Sequence, residues 1–165
     1  SFGDSVDDRP FSLEAWVKMK DASSFMILTK GQYNINAEYN FYTDGSRKLN
    51  LTIYDESLSA TYRGKKSNTA LSSGQWIHVV ATYDGTGGTN AHNGINLYIN
   101  GSVVGTADVN GGSYVAMENL GADLIIGKDG ASYSKGLIDE PRIYSKELSA
   151  SEILKNYNSG ISAHQ

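Results

Sequence analysis

The chain has 165 residues, which is enough for one domain with a full-sized hydrophobic core. Its formal net charge is −4 and it contains no cysteine, so disulfides and thiolate metal sites are excluded and a nucleic-acid-binding surface is disfavoured. No apolar stretch approaches the roughly 18 residues of a membrane-spanning helix. The chain starts abruptly at SFGDSVDD, and we expect residues 1–165 to form a single domain of a longer polypeptide.

Short segments with the composition of β-strands recur along the chain, separated by turn residues. The first, FSLEAWVKM (11–19), alternates apolar and polar side chains with the two-residue period of a strand. The same reasoning predicts further strands within 25–30, 39–55, 60–65, 74–85, 95–107, 124–128 and 136–145.

Turn and capping residues organise these segments. Asp44-Gly45 and Asn100-Gly101 tolerate the positive φ angles of tight turns, so each predicts a hairpin. In SASEILKNY (149–157), the S-x-x-E spacing of a capping box predicts one short C-terminal helix. Many strands followed by a single helix predict an all-β fold, with an antiparallel sandwich or barrel.

Five stretches occur in a characteristic order: FSLEAWVKM, GQWIHVVATYDG, INLYINGSVVGTA, LIIGK and GLIDEPRIYSKELSASEI. Together they resemble the laminin-G-like domains of the concanavalin A-like lectin and glucanase superfamily. The resemblance implies an antiparallel jelly-roll sandwich of two curved sheets. It also implies a module of an extracellular, cell-surface or phage protein that binds glycans or proteins, in many cases with calcium. One departure is the opening FGDSVDDRP (2–10), where relatives often have F-D-G-x-D-D.

The superfamily includes enzymes, so the adjacent acids Asp139 and Glu140 need a decision. Retaining glycosidases use two carboxylates about 5 Å apart. Neighbouring residues of a strand point to opposite faces, so we expect these two acids not to act as a catalytic pair. The laminarinase-like pattern E-x-D-x-x-E is absent from the sequence. We therefore predict a protein without catalytic residues.

Calcium is an alternative use for the acids, because it binds six to eight oxygen ligands that loops supply readily. The N- and C-terminal strands of a jelly roll lie close together, which makes Asp4 and Asp139 candidate ligands, with Asp8 as a further candidate. The competing interpretation is that these acids cap turns and accept main-chain hydrogen bonds.

Tyrosine is the candidate ligand-binding residue, because sugar rings stack on aromatic faces while polar neighbours bind the hydroxyls. Alternation along strands predicts that about half of the aromatic candidates are buried in the core instead. We predict a non-catalytic carbohydrate-binding module at a cell, matrix or virion surface; the alternative is a structural or protein-interaction domain. The candidate ligand-binding residues are Tyr39, Tyr42, Tyr54, Tyr62, Arg63 and Tyr114.

Overall fold

The structure is a computed structural model that describes residues 1–32, 35–58 and 61–165, without the side chain of Leu58. One α-helix, α1 (Ala150–Gly160), follows the strands in these residues, and short 3-10 turns lie at Glu56–Leu58, Ala91–Gly94 and Ile161–Ala163. The strands are β1 (Phe11–Met19), β2 (Met26–Lys30), β3 (Tyr39–Thr43), β4 (Lys48–Asp55), β5 (Thr61–Ala70), β6 (Trp76–Tyr83), β7 (Ile95–Ile99), β8 (Ser102–Val103), β9 (Thr106–Asp108), β10 (Leu124–Ile126), β11 (Lys128–Asp129), β12 (Ser132–Tyr133) and β13 (Gly136–Tyr144).

The strands build an antiparallel jelly-roll sandwich, which confirms the predicted fold class. One sheet has five strands in the order β13-β1-β6-β7-β8, and the other has six in the order β10-β2-β3-β4-β5-β9. Strands β11 and β12 form a separate small hairpin. Each predicted strand segment overlaps at least one strand of the structure, and β5 extends beyond its predicted segment to Ala70.

The hydrophobic core lies between the two sheets and follows from the two-residue period of the strands. Alternate residues of β1, from Phe11 to Met19, are completely buried, as are Leu49, Leu51 and Ile53 of β4. Their neighbours on the same strands face away from the core. Each large sheet therefore has an inner, apolar face and an outer face.

Both predicted hairpins are present, but their turns differ. Asn100 (φ 49°) and Gly101 (φ 77°) take the positive angles of a two-residue turn between β7 and β8. In the β3–β4 hairpin the positive angle falls on Arg47 (φ 63°) instead of Gly45. The Asp44 carboxylate stabilises that turn by accepting hydrogen bonds from the backbone N–H groups of Ser46 and Lys48.

The capping-box prediction for the C-terminal helix is confirmed. The Ser149 hydroxyl accepts a hydrogen bond from the Glu152 backbone, and the Glu152 carboxylate accepts one from the Ser149 backbone. The helix continues beyond the predicted segment to Gly160, which packs on the indole of Trp16. A Cβ atom at residue 160 would lie 2.5 Å from Trp16 Nε1, so the close approach requires glycine.

A bulge in β13 changes the expected orientation of Asp139 and Glu140. Trp16 pairs with Asp139 and Glu14 pairs with Arg142, so β13 has one extra residue between these pairs, and Glu140 takes a φ of 46°. Asp139 Oδ2 lies 3.2 Å from His164, and Glu140 binds Arg142 at 2.9 Å. The expectation that the two acids point to opposite faces was therefore wrong. Both carboxylates have partners on the outer side of the five-stranded sheet, at His164 and Arg142.

A buried carboxylate anchors α1 to the outer face of the five-stranded sheet. Glu14 is 1 % exposed, and its oxygens lie 3.0 Å from His78 Nε2 and 3.3 Å from Arg142 Nη1. Tyr144 donates a hydrogen bond to it at 3.0 Å, and Asn156 of α1 donates another at 2.9 Å. Burial raises the pKa of Glu14, but the hydrogen bonds outweigh burial, so its pKa is lowered.

We expect Glu14→Gln to lower the free energy of unfolding by about 2 kcal/mol, because hydrogen bonds to a charged acceptor are lost. The lowered pKa means that this stabilisation is present above the ordinary glutamate pKa and is lost as the pH falls through the lowered value. The difference between wild type and variant in urea unfolding should therefore shrink below about pH 4.3.

Glu147→Ala is the control, because Glu147 is exposed and should change stability by no more than about 0.5 kcal/mol. Equal effects of the two substitutions, or a pH-independent difference for Glu14→Gln, would contradict the anchoring role.

Candidate functional site

The outer face of the six-stranded sheet carries a groove lined by tyrosine side chains. Its lining residues come from β3, β4, β5 and the segment after β9. The groove is open to solvent and has a volume of about 220 Å³. We call it the tyrosine groove, defined by Tyr42, Thr52, Tyr54, Tyr62 and Val109.

Strand register brings these residues together. Tyr54 stands opposite Tyr62, and their ring centroids lie 6.2 Å apart at an angle of 56°. Thr52 stands opposite Gly64, which has no side chain to fill the groove. A Cβ atom at Gly64 would lie 3.1 Å from Thr52 Oγ1 and 2.6 Å from the Leu51 carbonyl oxygen. Glycine at position 64 therefore leaves space next to Thr52 that a side chain would occupy.

Thr52 and its cross-strand neighbour Asn40 each have a buried polar atom without a partner in the described residues, and of the two only Thr52 lines the groove. Thr52 is 2 % exposed, and its hydroxyl makes no hydrogen bond of good geometry within the described part of the chain. Its cross-strand neighbour Asn40 is 5 % exposed, and the Asn40 Oδ1 atom likewise has no partner there. Burial raises the pKa of Tyr42, and the nearby Thr52 hydroxyl offsets part of this effect. Both unpaired atoms are shielded from solvent, so the surface that the groove offers to a ligand consists mainly of the tyrosine side chains.

The β11–β12 hairpin covers the outer face of β2, beside the groove. Thr29 stands opposite Asn40 and donates its hydroxyl hydrogen bond to the Lys128 carbonyl oxygen at 2.9 Å. Tyr133 of the hairpin is 72 % exposed, and the Lys128 ammonium lies 5.0 Å from its ring centroid. The hairpin therefore covers the β2 side of the outer face of the six-stranded sheet.

The structure brings together three of the six predicted ligand-binding residues, namely Tyr42, Tyr54 and Tyr62. Tyr39 is a correction: it is 2 % exposed and packs in the core with its ring centroid 5.3 Å from that of Phe11. Because side chains alternate along β3, Tyr39 points into the core and Tyr42, three residues later, points outward.

Arg63 is the second correction, because it lies outside the tyrosine groove. It stands opposite Ile53 on the inner side of the sheet and is 5 % exposed. Its guanidinium donates hydrogen bonds to main-chain carbonyl oxygens of Thr89, Gly111 and Gly112. Arg63 therefore fixes the loops at the end of the sandwich.

Tyr114 is the third correction, since it does not lie on an exposed rim. It is 1 % exposed, and its hydroxyl donates a hydrogen bond of 2.6 Å to Asp8 Oδ2. Tyr83 donates to the same oxygen at 2.7 Å, and the backbone N–H of Met117 donates to Asp8 Oδ1 at 2.8 Å. Burial raises the pKa of Asp8, with the hydrogen bonds acting in the opposite direction.

The three predicted calcium ligands do not fit a single ion. Asp4 accepts hydrogen bonds from its own loop, at Val6 and Asp7, while Asp8 is saturated by the donors described above. Asp139 pairs with Trp16, five residues along β1 from the end where Asp8 lies, a separation of roughly 17 Å. No group of three or more His, Asp or Glu side chains in the described ranges is arranged to hold a metal ion.

Sequence reasoning missed Asn40, Thr52 and Gly64, which stand in one cross-strand row beside the groove tyrosines; of the three, Thr52 lines the groove. Each lies two positions from a groove tyrosine on the same strand: Asn40 from Tyr42, Thr52 from Tyr54, and Gly64 from Tyr62. The two-residue period that identified the strands would also have found these positions.

Comparison with known proteins places the fold. A family model described as the concanavalin A-like lectin/glucanases superfamily matches residues 2–154. No curated protein sequence matches this chain. The SAP-like pentraxin of Limulus polyphemus has 18% sequence identity and a TM-score of 0.58, with 88% of this chain and 68% of the pentraxin chain covered.

Two further solved structures were determined with sugars. Domain 4 of AbnA, an extracellular arabinanase from Geobacillus stearothermophilus in complex with arabinotriose, has 18% identity and a TM-score of 0.58, covering 91% of this chain and 66% of that one. The botulinum neurotoxin serotype D ligand-binding domain with N-acetylneuraminic acid has 18% identity and a TM-score of 0.61, covering 93% and 37%. This chain thus spans two thirds or less of those two proteins. At these identities the likeness establishes the fold alone.

No helix within the described ranges is long and apolar enough to cross a bilayer.

We expect Asp8→Ala to lower the free energy of unfolding by at least about 2 kcal/mol, because it leaves buried Tyr83 and Tyr114 hydroxyls without an acceptor. Urea unfolding measures this, with exposed Asp7→Ala as the control, for which a change within about 0.5 kcal/mol is expected. A loss no larger than that of the control would show that Asp8 does not hold the end of the sandwich together.

Proposed function

We infer that this chain, which belongs to the concanavalin A-like lectin/glucanases superfamily, is a non-catalytic carbohydrate-binding module. The observation that carries the proposal is the tyrosine groove, where Tyr42, Tyr54 and Tyr62 line one open groove on the outer face of the sheet. Aromatic faces stack on sugar rings, and tyrosine hydroxyl groups can form hydrogen bonds with sugar hydroxyls. The two solved structures with arabinotriose and N-acetylneuraminic acid support the class of ligand.

A binding role rather than catalysis is supported by the lining of the groove. Hydrolysis of a glycosidic bond by the usual mechanism needs two carboxylates facing each other across the bond. The residues known to line the tyrosine groove are three tyrosines, a threonine and a valine. Asp139 and Glu140 lie on the other sheet, where they engage His164 and Arg142.

We propose that the module works outside the cell, at a cell surface, in a matrix or on a virion, as part of a longer polypeptide. The extracellular arabinanase gives one precedent for a domain of this fold within a larger secreted protein. Its partner in this proposal is a glycan or a glycosylated surface protein.

The alternative function, a structural or protein-interaction domain, is favoured by one specific observation. Leu124 and Ile126 on β10 and Leu137 on β13 are 46 %, 51 % and 58 % exposed, and both strands are edges of their sheets. Exposed apolar side chains along sheet edges are typical of contacts with another chain.

A glycan array distinguishes the two functions. We expect at least one glycan to bind, and Tyr62→Ala to weaken that binding at least about tenfold, equivalent to roughly 1.4 kcal/mol, through loss of the stacking surface. Tyr133→Ala is the matched control, since Tyr133 is exposed but lies on the hairpin outside the groove. An array without any bound glycan would support the structural alternative, and equal losses in both variants would place the site elsewhere.

Calcium binding stays a prediction and has no assigned ligands. If calcium binds the folded chain, it raises the melting temperature by mass action, and EDTA reverses the rise. The measurement is thermal unfolding with calcium and with EDTA, together with titration calorimetry. An unchanged melting temperature and no heat of binding would remove calcium from the proposal.

A further inference from the structure

We propose that copies of this chain associate head to tail, with a turn of one copy (residues 4–7, the acidic turn) docked in a lysine-rimmed apolar pocket of the next copy. The inference goes beyond the proposed function and does not rest on sugar binding. It follows from an exposed valine between acids near one end of β1, and from unpaired lysines around an apolar hollow at the other end.

The pocket lies on the five-stranded sheet, where β1 ends. It is an open hollow of about 370 Å³, and its walls are mainly apolar. Leu137 stands opposite Lys18 across β13 and β1 and is 58 % exposed. Exposed apolar side chains around a hollow are typical of a contact with another molecule. We call it the lysine pocket, defined by Lys18, Met19, Lys20, Gly74, Gly136 and Leu137.

Three lysines make the rim of this pocket positive. Lys18 and Lys20 line it, and the Lys20 backbone N–H donates a hydrogen bond of 2.8 Å to the carbonyl oxygen of Lys135. None of the three ammonium groups has an ion pair or a hydrogen bond with the described residues. Hydrogen bonds from Ser23 lower the pKa of Asp21, and the charge of Lys135 adds to this effect, so one acid stands near the three lysines. The pocket therefore suits a partner that combines negative charge with an apolar group.

The acidic turn has that complementary chemistry. Its ends are joined by a hydrogen bond of 3.3 Å from the Asp4 N–H to the Asp7 carbonyl oxygen. Ser5 takes a φ of 75°, and its hydroxyl donates a hydrogen bond of 2.6 Å to Glu118. Val6 follows and is 71 % exposed, between the exposed residues Asp4 and Asp7. The turn therefore presents one branched apolar side chain among carboxylates, in a conformation fixed before any contact forms.

The negative charge of the acidic turn is only partly neutralised within the chain. Arg9 Nη2 lies 3.6 Å from Asp4 Oδ2, and both side chains of this pair are well exposed. Asp7 has no ion pair with the described residues. Exposed ion pairs contribute little to stability, so both carboxylates are available to lysines of a second copy. Opposite charges on two surfaces steer their encounter and disfavour other arrangements.

The two surfaces lie near opposite ends of β1, so one chain cannot bring its own turn into its own pocket. Asp8, directly after the turn, binds the hydroxyl of Tyr83, which pairs with Phe11 at the start of β1. Met19 of the pocket is the ninth residue of the strand, roughly 26 Å away. The contact therefore joins two copies through different surfaces, and each added copy again offers a turn or a pocket, which makes the association open-ended.

The small size of the interface predicts weak association of the isolated chain. A four-residue turn in one hollow buries less surface than the roughly 1,200–2,000 Å² of stable protein–protein interfaces. Copies that neighbour one another, in one longer polypeptide or on one surface, meet at a higher effective concentration. The contact is therefore suited to aligning adjacent copies rather than to forming a permanent dimer.

The experiment is sedimentation equilibrium of the chain at concentrations up to about 1 mM, in about 50 mM and about 500 mM NaCl. We expect the average mass at low salt to keep rising past a dimer, and to fall at high salt because the charges are screened. Val6→Lys replaces the apolar contact with a charge that the lysines repel, and Leu137→Glu repels the acidic turn. Each substitution should weaken self-association at least about tenfold.

An equimolar mixture of the two variants is the decisive sample. Val6→Lys retains the lysine pocket, and Leu137→Glu retains the acidic turn, so one molecule of each can pair but no third can add. We expect the mass of the mixture to rise with concentration and to stop at a dimer, whereas neither variant alone associates. Lys20→Glu, at an exposed residue, takes the place of Leu137→Glu if the latter does not fold.

Val103→Lys and Leu124→Glu are the matched controls, because these residues are 62 % and 46 % exposed and lie on β8 and β10, outside both surfaces. We expect both controls to associate as the wild type does.

Three results would overturn the inference: a constant mass at low salt, a mixture without dimers, and association that Leu124→Glu abolishes while Val6→Lys does not. The last result would assign the contact to the sheet edges instead. The glycan array probes the tyrosine groove on the other sheet, so none of these results changes the test of the proposed function.

Discussion

The two-residue alternation along β3, β4 and β5 is the constraint that links stability to the binding surface. On β4, Leu49, Leu51 and Ile53 enter the core, so Asn50, Thr52 and Tyr54 must face outward. A shift of one residue in strand pairing would expose the apolar set and bury the polar one. The burial of the core therefore fixes the register that aligns Thr52 with Gly64 and Tyr54 with Tyr62.

The outer faces of the two large sheets differ in what covers them. On the five-stranded sheet, Glu14 is surrounded by donors and covered by α1, and Trp16 stacks on His164 with ring centroids 4.2 Å apart. On the six-stranded sheet, Thr52 and Asn40 keep polar atoms without partners. Thr82 and His78 of the five-stranded sheet also keep an atom without a partner among the described residues, so unpaired atoms do not distinguish the two faces. The open groove lined by Tyr42, Tyr54 and Tyr62 does.

Period and turn chemistry predicted most of the scaffold, because those signals are local. The strands from Phe11–Met19 to Gly136–Tyr144 and the capping box at Ser149 follow from residue types a few positions apart. The bulge at Glu140 was missed, although Pro141 follows it and proline within a strand is confined to edges and bulges. The positive φ angle itself depends on the pairing with β1. Pairing with a distant strand decides the backbone conformation at such positions.

The same limit explains which site residues were found. Tyr42, Tyr54 and Tyr62 lie on regular strands, where the sequence offers two choices of face and the core resolves them. Tyr114 lies between β9 and β10 in a segment without regular pairing, and its burial depends on Asp8, more than a hundred residues away. An aromatic residue on a strand is thus open to sequence reasoning, whereas one in an irregular segment takes its role from a distant partner. The groove was within reach of the sequence because it is built almost entirely on strands.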